Sequence, residues 1–234
     1  DKLEEKKSSN HEFKAAFSPR LQGGREVLIT DNLTVGYDAP LVSLTHTFEK
    51  GRRYAILGDN GTGKSTLLKT ISNRLKPLKG EMLLGHQIEM GYFDQQLLDF
   101  NQSDTVLEAL WDEFPNLDHT EVRSVLGRFL FSGEDVFKSV SVLSGGERVR
   151  LSLAKLMLSR DNLLILDEPT NHLDIPGKEA LEKALKDYTG TMIFVSHDRY
   201  FIEKIATDIL IIKDHQIIHT QKTLEHVLEQ EKVE

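Results

Sequence analysis

Apolar residues recur at two spacings along the chain, and the spacing predicts where strands and helices form. Short alternating or continuous apolar runs predict strands at VLIT, LTVGY, LVSLTHTF and RRYAIL. The last run is followed by apolar residues at helical spacing between residues 67 and 75, which Pro77 and Gly80 bring to an end. Strand patterns return in EMLLG and IEMGYF. These segments predict a group of strands with one helix among them.

The middle of the chain has a helical pattern instead. Ser103 and Asp118 are suited to cap two helices over residues 104–114 and 119–131, because short polar side chains accept hydrogen bonds from the free N–H groups of a first helical turn. Glu121 completes a capping box with Asp118.

Strand and helix patterns alternate over the rest of the chain. The segment SVLSGGE is followed by an apolar helix in VRLSLAKLML, a buried strand in LLIL, a helix over residues 177–187 and a strand in TMIFVS. A hairpin is predicted for DILIIKD and QIIHT, and a charged helix for the tail. Alternation of this kind favours an α/β fold with a parallel sheet.

Composition and charge narrow the possible functions. The 234 residues contain 29 Lys and Arg against 37 Asp and Glu, a formal net charge of −8, and no cysteine. The absence of cysteine excludes disulfides and thiolate zinc sites. No apolar run approaches the roughly 20 residues that span a bilayer. Residues 50–80 differ from the rest, because they hold eight Lys or Arg and a single acid, Asp59.

The strongest chemical motif lies between the RRYAIL strand and the helix that follows it. It fits G-x-x-x-x-G-K-[ST], in which glycines let backbone N–H groups surround phosphate oxygens at the start of a helix. Lys64 can reach the β- and γ-phosphates, and the Ser65 hydroxyl can ligate Mg²⁺. The motif comprises Gly58, Asp59, Asn60, Gly61, Thr62, Gly63, Lys64, Ser65 and Thr66.

A second motif is the acidic pair at the end of the LLIL strand. Asp167 and Glu168 directly follow four apolar residues, and α/β sheets bind ligands at the carboxyl ends of their strands. Asp167 is suited to hold Mg²⁺, and Glu168 to orient an attacking water or accept its proton. Acidic residues often follow strands, so this pattern gains its meaning from the phosphate motif about 100 residues earlier.

A third motif resembles the first in principle. Ser144, Gly145 and Gly146 open a helix in LSGGE and form another possible anion site. With these motifs in this order, residues from about 25 to 220 resemble the nucleotide-binding domain of an ATP-binding cassette (ABC) protein. The resemblance implies a P-loop NTPase core with an antiparallel β subdomain and a helical signature subdomain.

The resemblance also implies roles for further residues. Gln95, or Gln96 in a shifted register, matches the glutamine that senses Mg²⁺ and the γ-phosphate. Tyr37 matches the aromatic that stacks on the base, although it could equally fill a sheet face, and it would stack on guanine as readily as on adenine. His197 matches the histidine at the γ-phosphate, and residues 171–174 match a loop at the domain interface.

Family members bind ATP between two cassettes arranged head to tail. The resemblance therefore implies that a second cassette, from the same full-length chain or from a second copy, completes the sites for ATP and Mg²⁺. It also implies a Mg²⁺-dependent ATPase that is poorly active alone. The domain expectation is a linker remnant over residues 1–20, a nucleotide-binding domain over 21–220 with its helical subdomain near 101–142, and a tail helix over 221–234.

Two details are similar to the ABC-F group, whose members have tandem cassettes and no membrane domain. They are the text EPTNHLD and Glu147 at the end of the signature. That similarity implies a cytoplasmic protein acting on ribosomal RNA and tRNA in translation, without membrane insertion. Two alternatives remain: the ATP-hydrolysing cassette of a membrane transporter, and an ATP-gated clamp with negligible turnover. The basic segment over residues 50–80 could contact RNA or serve ATP alone.

Overall fold

The computed structural model describes residues 18–94 and 100–220, which divide into two compact units. The core unit comprises residues 21–92, 162–169 and 190–220, and the helical unit comprises residues 18–20, 93–94, 100–161 and 170–189. The helical unit contains the segment predicted over 101–142 and extends beyond it. Most of the predicted linker and all of the predicted tail helix lie outside the described residues.

In the described residues, nine strands form one mixed sheet, in the order β4-β1-β2-β9-β8-β3-β7-β6-β5. Their bounds are β1 (Glu26–Gly36), β2 (Pro40–Glu49), β3 (Arg53–Leu57), β4 (Lys79–Leu84), β5 (Met90–Asp94), β6 (Leu163–Asp167), β7 (Thr191–Val195), β8 (Asp208–Lys213) and β9 (Gln216–Thr220). The parallel α/β core and the hairpin of β8 and β9 confirm the predictions from the sequence pattern.

The parallel centre of the sheet brings four strand ends to one edge. In the ladder, Asp167 of β6 is opposite Val195 of β7, and Leu57 of β3 is opposite Ile211 of β8. Every residue of β6 and β7 is buried, as expected for the near-continuous apolar runs of central parallel strands. The segments that follow β3, β6 and β7 therefore emerge close together at the carboxyl edge.

The antiparallel part differs from the sequence prediction in one respect. VLIT and LTVGY do not form separate strands but the single strand β1, which pairs with β2 on one side and β4 on the other. The ladder with β2 shifts register between Thr30 and Leu33, and Asn32 between them has φ of 47°. A bulge thus breaks the alternation along β1 without ending the strand.

Aromatic and imidazole rings from β2, β3 and β9 pack together in a cluster. His46 packs edge-on against Phe48, Tyr54 and His219, with ring centroids 4.7, 5.4 and 4.9 Å away. Its Nε2 atom is buried and has no hydrogen-bond partner among the described residues. Burial, and then the charge of His219, lowers the pKa of His46 from 6.5 to about 4.

Six α-helices occur in residues 18–94 and 100–220. They are α1 (Lys64–Ile71), α2 (Glu108–Trp111), α3 (His119–Arg128), α4 (Gly145–Ser159), α5 (Ile175–Asp187) and α6 (Arg199–Ile205), with 3₁₀ turns at Gly133–Phe137 and Val140–Val142. None of the helices in this part of the chain has the length and apolar character needed to cross a bilayer.

The helix predicted over residues 104–114 is wrong in length and in its cap. Ser103 bonds through its hydroxyl to the side chain of Asn101, and helix α2 begins only at Glu108. The backbone N–H groups of Val106 and Leu107 donate instead to carbonyls of the distant 136–138 segment. These non-local hydrogen bonds replace the first helical turn.

The capping box predicted for the next helix is confirmed. The Asp118 carboxylate accepts from the Glu121 N–H at 2.8 Å, and the Glu121 carboxylate accepts from the Asp118 N–H at 3.0 Å. Helix α3 ends at Arg128, three residues before its predicted end at residue 131.

Candidate functional site

The glycine-rich loop, residues 58–63, connects β3 to α1 in the core unit. Gly63 immediately precedes α1 with φ of 101°, a conformation that L side chains rarely adopt. A Cβ atom at Gly63 would also lie 2.9 Å from the Cβ of Leu41. No side chain among the described residues caps α1. The first N–H groups of α1 are therefore open to an anion.

Lys64 is held in place by the loop that precedes it. Its Nζ donates to the carbonyl oxygens of Gly58 at 2.6 Å and Asp59 at 2.8 Å. Burial lowers the pKa of Lys64, and the nearby carboxylates of Glu168, Asp59 and Asp167 partly offset this effect. An ammonium group has three N–H donors, so two orient the side chain and a third can bind a phosphate oxygen.

An oxygen pair suited to Mg²⁺ lies beside the start of α1. The Ser65 hydroxyl donates to Oδ1 of the buried Asp167 at 3.1 Å. The described residues contain no group of three or more His, Cys, Asp or Glu that could hold a metal ion by themselves. One carboxylate and one hydroxyl nevertheless fit a Mg²⁺ ion that takes its other ligands from phosphate and water. Gln95 and Gln96 lie outside the described residues.

Glu168 and His197 meet at the carboxyl edge of the sheet. Glu168 has φ of 52°, and its N–H donates to the carbonyl of Val195 at 2.9 Å. The Glu168 carboxylate accepts from the His197 backbone N–H at 3.2 Å and also contacts Nδ1 of the same residue. Nε2 of His197 lies 3.1 Å from Oδ1 of Asn60 in the glycine-rich loop. A chain of contacts therefore links the loop to the acid.

Lys64, Asn60 and His197 line a cavity of about 1040 Å³ within the core unit. Six residues of the predicted phosphate motif line it: Gly58, Asp59, Asn60, Gly61, Thr62 and Lys64. Gly63, Ser65 and Thr66 lie at the start of α1. Tyr37 lies in the turn between β1 and β2, with 59% of its surface exposed, and it does not line the cavity. Its stacking role stays a prediction.

The signature segment, residues 143–147, lies in the helical unit. The hydroxyl of Ser144 accepts from the Glu147 N–H at 3.2 Å, and the Glu147 carboxylate accepts from the Ser144 N–H at 2.8 Å. This capping box closes the start of α4, and the hydrogen bond from Ser144 lowers the pKa of Glu147. A Cβ on Gly146 would lie 2.8 Å from the carbonyl oxygen of His172, whereas Gly145 has open space.

The loop predicted to reach a domain interface has a local role that the sequence analysis did not assign. Asp174 caps α5, and its carboxylate accepts from the Gly177 N–H at 2.9 Å. An Asp immediately before Ile-Pro-Gly is a helix-start pattern that could have revealed this cap. The interface role of residues 171–174 stays a prediction.

Sequence reasoning also missed one wall of the cavity. The wall comprises Leu41 of β2, Arg199 at the start of α6, Lys213 at the end of β8, and residues 214 and 215 in the turn between β8 and β9. The sequence of the turn is a signal that could have revealed this wall, because Asp-His occupies a two-residue hairpin loop in which Asn-Gly or Asp-Gly is usual.

Comparison with known proteins identifies the same kind of domain. The family model described as "ABC transporter" matches residues 41–171. The chain is 50% identical over 218 residues to the putative ATP-binding protein YdiF of Bacillus subtilis, which covers 92% of this chain and 33% of that protein. It is 42% identical to ABC transporter F family member 5 of Arabidopsis thaliana, over 91% of this chain and 31% of that protein.

Two further comparisons concern translation and fold. The energy-dependent translational throttle protein EttA of Escherichia coli is 41% identical, over 90% of this chain and 39% of that protein. A dimeric post-hydrolysis structure of the ATP-binding cassette MJ0796, bound to ADP and Pi, superimposes with a TM-score of 0.71 at 20% identity. That superposition covers 83% of this chain and 98% of the other.

The chain spans about a third of the length of the first two relatives. Its fold matches solved ATP-binding cassettes, and the family model covers more than half of its residues. The glycine-rich loop, the acidic strand end and the signature segment follow one another in the order that the family resemblance requires. The chain belongs to the ATP-binding cassette family and is an ATP-binding ABC ATPase domain of the ABC-F-like kind.

Proposed function

We propose that this chain hydrolyses Mg²⁺-ATP as one cassette of an ABC-F-type protein that acts on the ribosome in translation. The observation that carries the hydrolytic part is the constellation around Lys64. Within one unit, Lys64 and His197 line one cavity, Ser65 next to Lys64 bonds to Asp167, and His197 contacts Glu168.

Binding begins at the open start of α1. The backbone N–H groups of the glycine-rich loop and the remaining N–H of Lys64 neutralise the β- and γ-phosphates of ATP. Ser65 and Asp167 would hold Mg²⁺, with Gln95 as a third ligand. The ion supplies positive charge that stabilises the transferring phosphoryl group.

The hydrolytic step uses Glu168 to orient a water against the γ-phosphorus. As the water oxygen bonds to phosphorus, the bond from phosphorus to the β–γ bridging oxygen breaks. The electron pair of that bond stays on ADP. Glu168 accepts the proton that the water loses, and the products are ADP and inorganic phosphate.

His197 orients Glu168 rather than reacting itself. It holds the carboxylate through its backbone N–H and its ring, while Nε2 faces Asn60 of the glycine-rich loop. The acid, the histidine and the glycine-rich loop are therefore linked by direct contacts. The His197 side chain is 61% exposed, and in its protonated form Nε2 can also donate to an incoming γ-phosphate.

A second cassette completes the proposed site. Ser144, Gly145 and Gly146 of each cassette would face the nucleotide held by the other, so closure depends on γ-phosphate contacts made across the pair. The capping box supports this role, because a Ser144 hydroxyl that accepts from Glu147 still has its own proton to donate.

The translational role rests on the relatives. EttA is named an energy-dependent translational throttle protein, and the identity to it extends over nine-tenths of this chain. The full-length protein would act on ribosomal RNA and tRNA, and it would do so in the cytoplasm. The basic residues between 50 and 80 supply charge suited to RNA phosphates.

Hydrolysis is tested with Glu168→Gln in the full-length protein. Loss of the carboxylate should lower kcat by about 100-fold or more while ATP still binds, since general-base catalysis contributes about 10²–10⁴-fold. Glu203→Gln is the matched control, because Glu203 is exposed on α6. Unchanged turnover in Glu168→Gln would remove Glu168 from the mechanism.

The translational role is tested by sedimenting the Glu168→Gln protein from cell lysate with and without ATP. ATP-dependent pelleting with ribosomes supports the proposal, because ATP that is not hydrolysed should hold the cassettes closed. Recovery in the membrane fraction instead would favour a transporter cassette and overturn the ribosomal role.

A further inference from the structure

The cavity extends well beyond the residues that the proposed chemistry uses. From Lys64 it continues past Leu41 of β2 to residues 214 and 215 in the turn between β8 and β9. A volume of about 1040 Å³ is much larger than a triphosphate alone requires, and pockets for small molecules commonly fall between about 300 and 1,000 Å³.

The direction in which a nucleotide lies follows from the two ends of the cavity. His197 lines the cavity beside Asn60 and contacts Glu168, so the terminal phosphate must meet water on this side. The nucleoside must therefore extend the other way, toward Leu41 and the turn. Tyr37, four residues before Leu41, lies at that end of the β1–β2 hairpin.

The turn has an unusual composition for its backbone. Its two central residues, Asp214 and His215, have φ of 50° and 63°. Two-residue hairpins with positive φ at both central positions favour Asn-Gly or Asp-Gly, because glycine adopts this conformation without steric cost. A histidine in the glycine position lowers stability slightly, and such strain accompanies functional sites more often than it does ordinary turns.

His215 is also firmly anchored. Its Nδ1 lies 2.8 Å from the carbonyl oxygen of Leu41, and its own carbonyl accepts from the Ser43 N–H at 2.8 Å. Leu41 in turn packs against Gly63 of the glycine-rich loop. A carbonyl can only accept, so Nδ1 carries the proton. In the neutral ring, Nε2 is then a hydrogen-bond acceptor in a fixed location.

We infer that His215 selects the base of the nucleotide. Its Nε2 accepts a hydrogen bond from the 6-amino group of adenine, whereas the 6-oxo group of guanine is itself an acceptor and gains no hydrogen bond there. This inference rests on the proposed nucleotide binding and assigns its base preference to a residue of the turn. An aromatic side chain such as that of Tyr37 stacks on both purines, so stacking alone does not favour adenine over guanine.

The test measures Lys64-dependent binding of fluorescent Mg²⁺-ATP, Mg²⁺-GTP and Mg²⁺-ITP to the full-length protein, with the Lys64→Met variant as background. Inosine has the 6-oxo group of guanine without its 2-amino group, so GTP and ITP should bind alike. The variants are His215→Phe, which keeps a ring without the acceptor, and His215→Gly, which suits the positive φ and should fold at least as well.

We expect both His215 variants to weaken ATP binding by about 3- to 10-fold and to leave GTP and ITP within twofold, as loss of one hydrogen bond implies. Asn73→Gly is the matched control, since exposed Asn73 has φ of 60° and does not line the cavity. It should leave all three affinities unchanged.

Two results would overturn the inference. An ATP preference that is absent, or unchanged in both His215 variants, would show that His215 does not read the base. A separation of ITP from GTP would show that the 2-position is read instead. Absence of any Lys64-dependent nucleotide binding would overturn the proposed function itself, and with it this inference.

Discussion

The two predicted anion sites begin helices in different ways. In the core unit, α1 starts after Gly63 with no side-chain cap among the described residues. In the helical unit, α4 starts with a complete capping box between Ser144 and Glu147. The first site therefore presents uncapped N–H groups to a ligand, whereas at the second the capping box already engages the N–H groups of Ser144 and Glu147.

The two sites therefore illustrate two ways in which the start of a helix can bind a phosphate. The open start of α1 gains its missing hydrogen bonds from the ligand, so binding and local ordering are coupled there. The closed start of α4 is already ordered and offers the proton of the Ser144 hydroxyl, with a negative charge beside it on Glu147. We expect the open site to dominate nucleotide affinity and the closed site to depend on rigid placement.

The largest effect should come from removing the charge at the open site. Lys64→Met should weaken ATP binding by about 100- to 1,000-fold, because a phosphate would lose a charge-assisted hydrogen bond in a buried setting. Lys69→Met, the same change near the end of α1, is the control and should stay within twofold. Titration with fluorescent ATP measures both, and equal losses in the two variants would contradict the comparison.

The two units should also differ in their response to acid. Unfolded His46 binds its proton near pH 6.5, but folded His46 does so only near pH 4. Over this window the unfolded state binds more protons, so stability falls as pH drops, by at most about 3 kcal/mol. The charges of Asp208 and Glu49 raise the pKa of His46, so they oppose the effect of His219 and limit this loss of stability.

Urea unfolding at pH 7 and pH 4.5 tests this expectation. His46→Phe should make the free energy of unfolding depend less on pH than in the unmodified chain, because a phenyl ring has no charge that is costly to bury. Exposed His86→Gln is the control and should leave the dependence intact. The carboxylate of Glu147 has a lowered pKa, so its contribution in the helical unit persists until the pH falls below the usual range of a glutamate.

Placement at the closed site should depend on one glycine. Gly146→Ala puts a methyl group 2.8 Å from the carbonyl oxygen of His172, so the signature segment or the 171–174 loop must shift, at a cost of about 1–3 kcal/mol. Gly145→Ala meets nothing within 4 Å and should be neutral or slightly stabilising. Thermal unfolding compares the pair, and equal melting temperatures would contradict the predicted clash.

The smallest effect should distinguish the hydrogen bond that Glu147 accepts in the capping box from the negative charge of its carboxylate. Glu147→Ala should destabilise the chain by about 1 kcal/mol, because the Ser144 N–H loses its partner. Glu147→Gln keeps an acceptor and should cost less than half of that. If the two variants unfold alike, the charge of Glu147 rather than its hydrogen bond stabilises the start of α4.

Sequence reasoning succeeded where neighbours along the chain decide the structure. The glycine-rich loop was found between its strand and helix, and the capping box of Asp118 and Glu121 depends on two residues three apart. Asp167 and Glu168 were found because a buried apolar strand leads directly into them. Such local patterns carry their own physical explanation.

It failed where distant segments decide. Helix α2 is short because Val106 and Leu107 bond to residues some 30 positions later. The contact of His197 with Asn60 spans 137 residues, and that of His215 with Leu41 spans 174. The last contact exists because β9 lies beside β2 in the sheet, an order that strand patterns alone do not predict.

The backbone at Glu168 has a wider consequence. Successive residues of a strand point to opposite faces, yet Asp167 and Glu168 both lie at one site because the chain turns left-handed at Glu168, with φ of 52°. A Glu168→Gly variant would relieve the left-handed conformation, but it would lose the hydrogen bond from the His197 N–H and the carboxylate that the proposed hydrolysis requires.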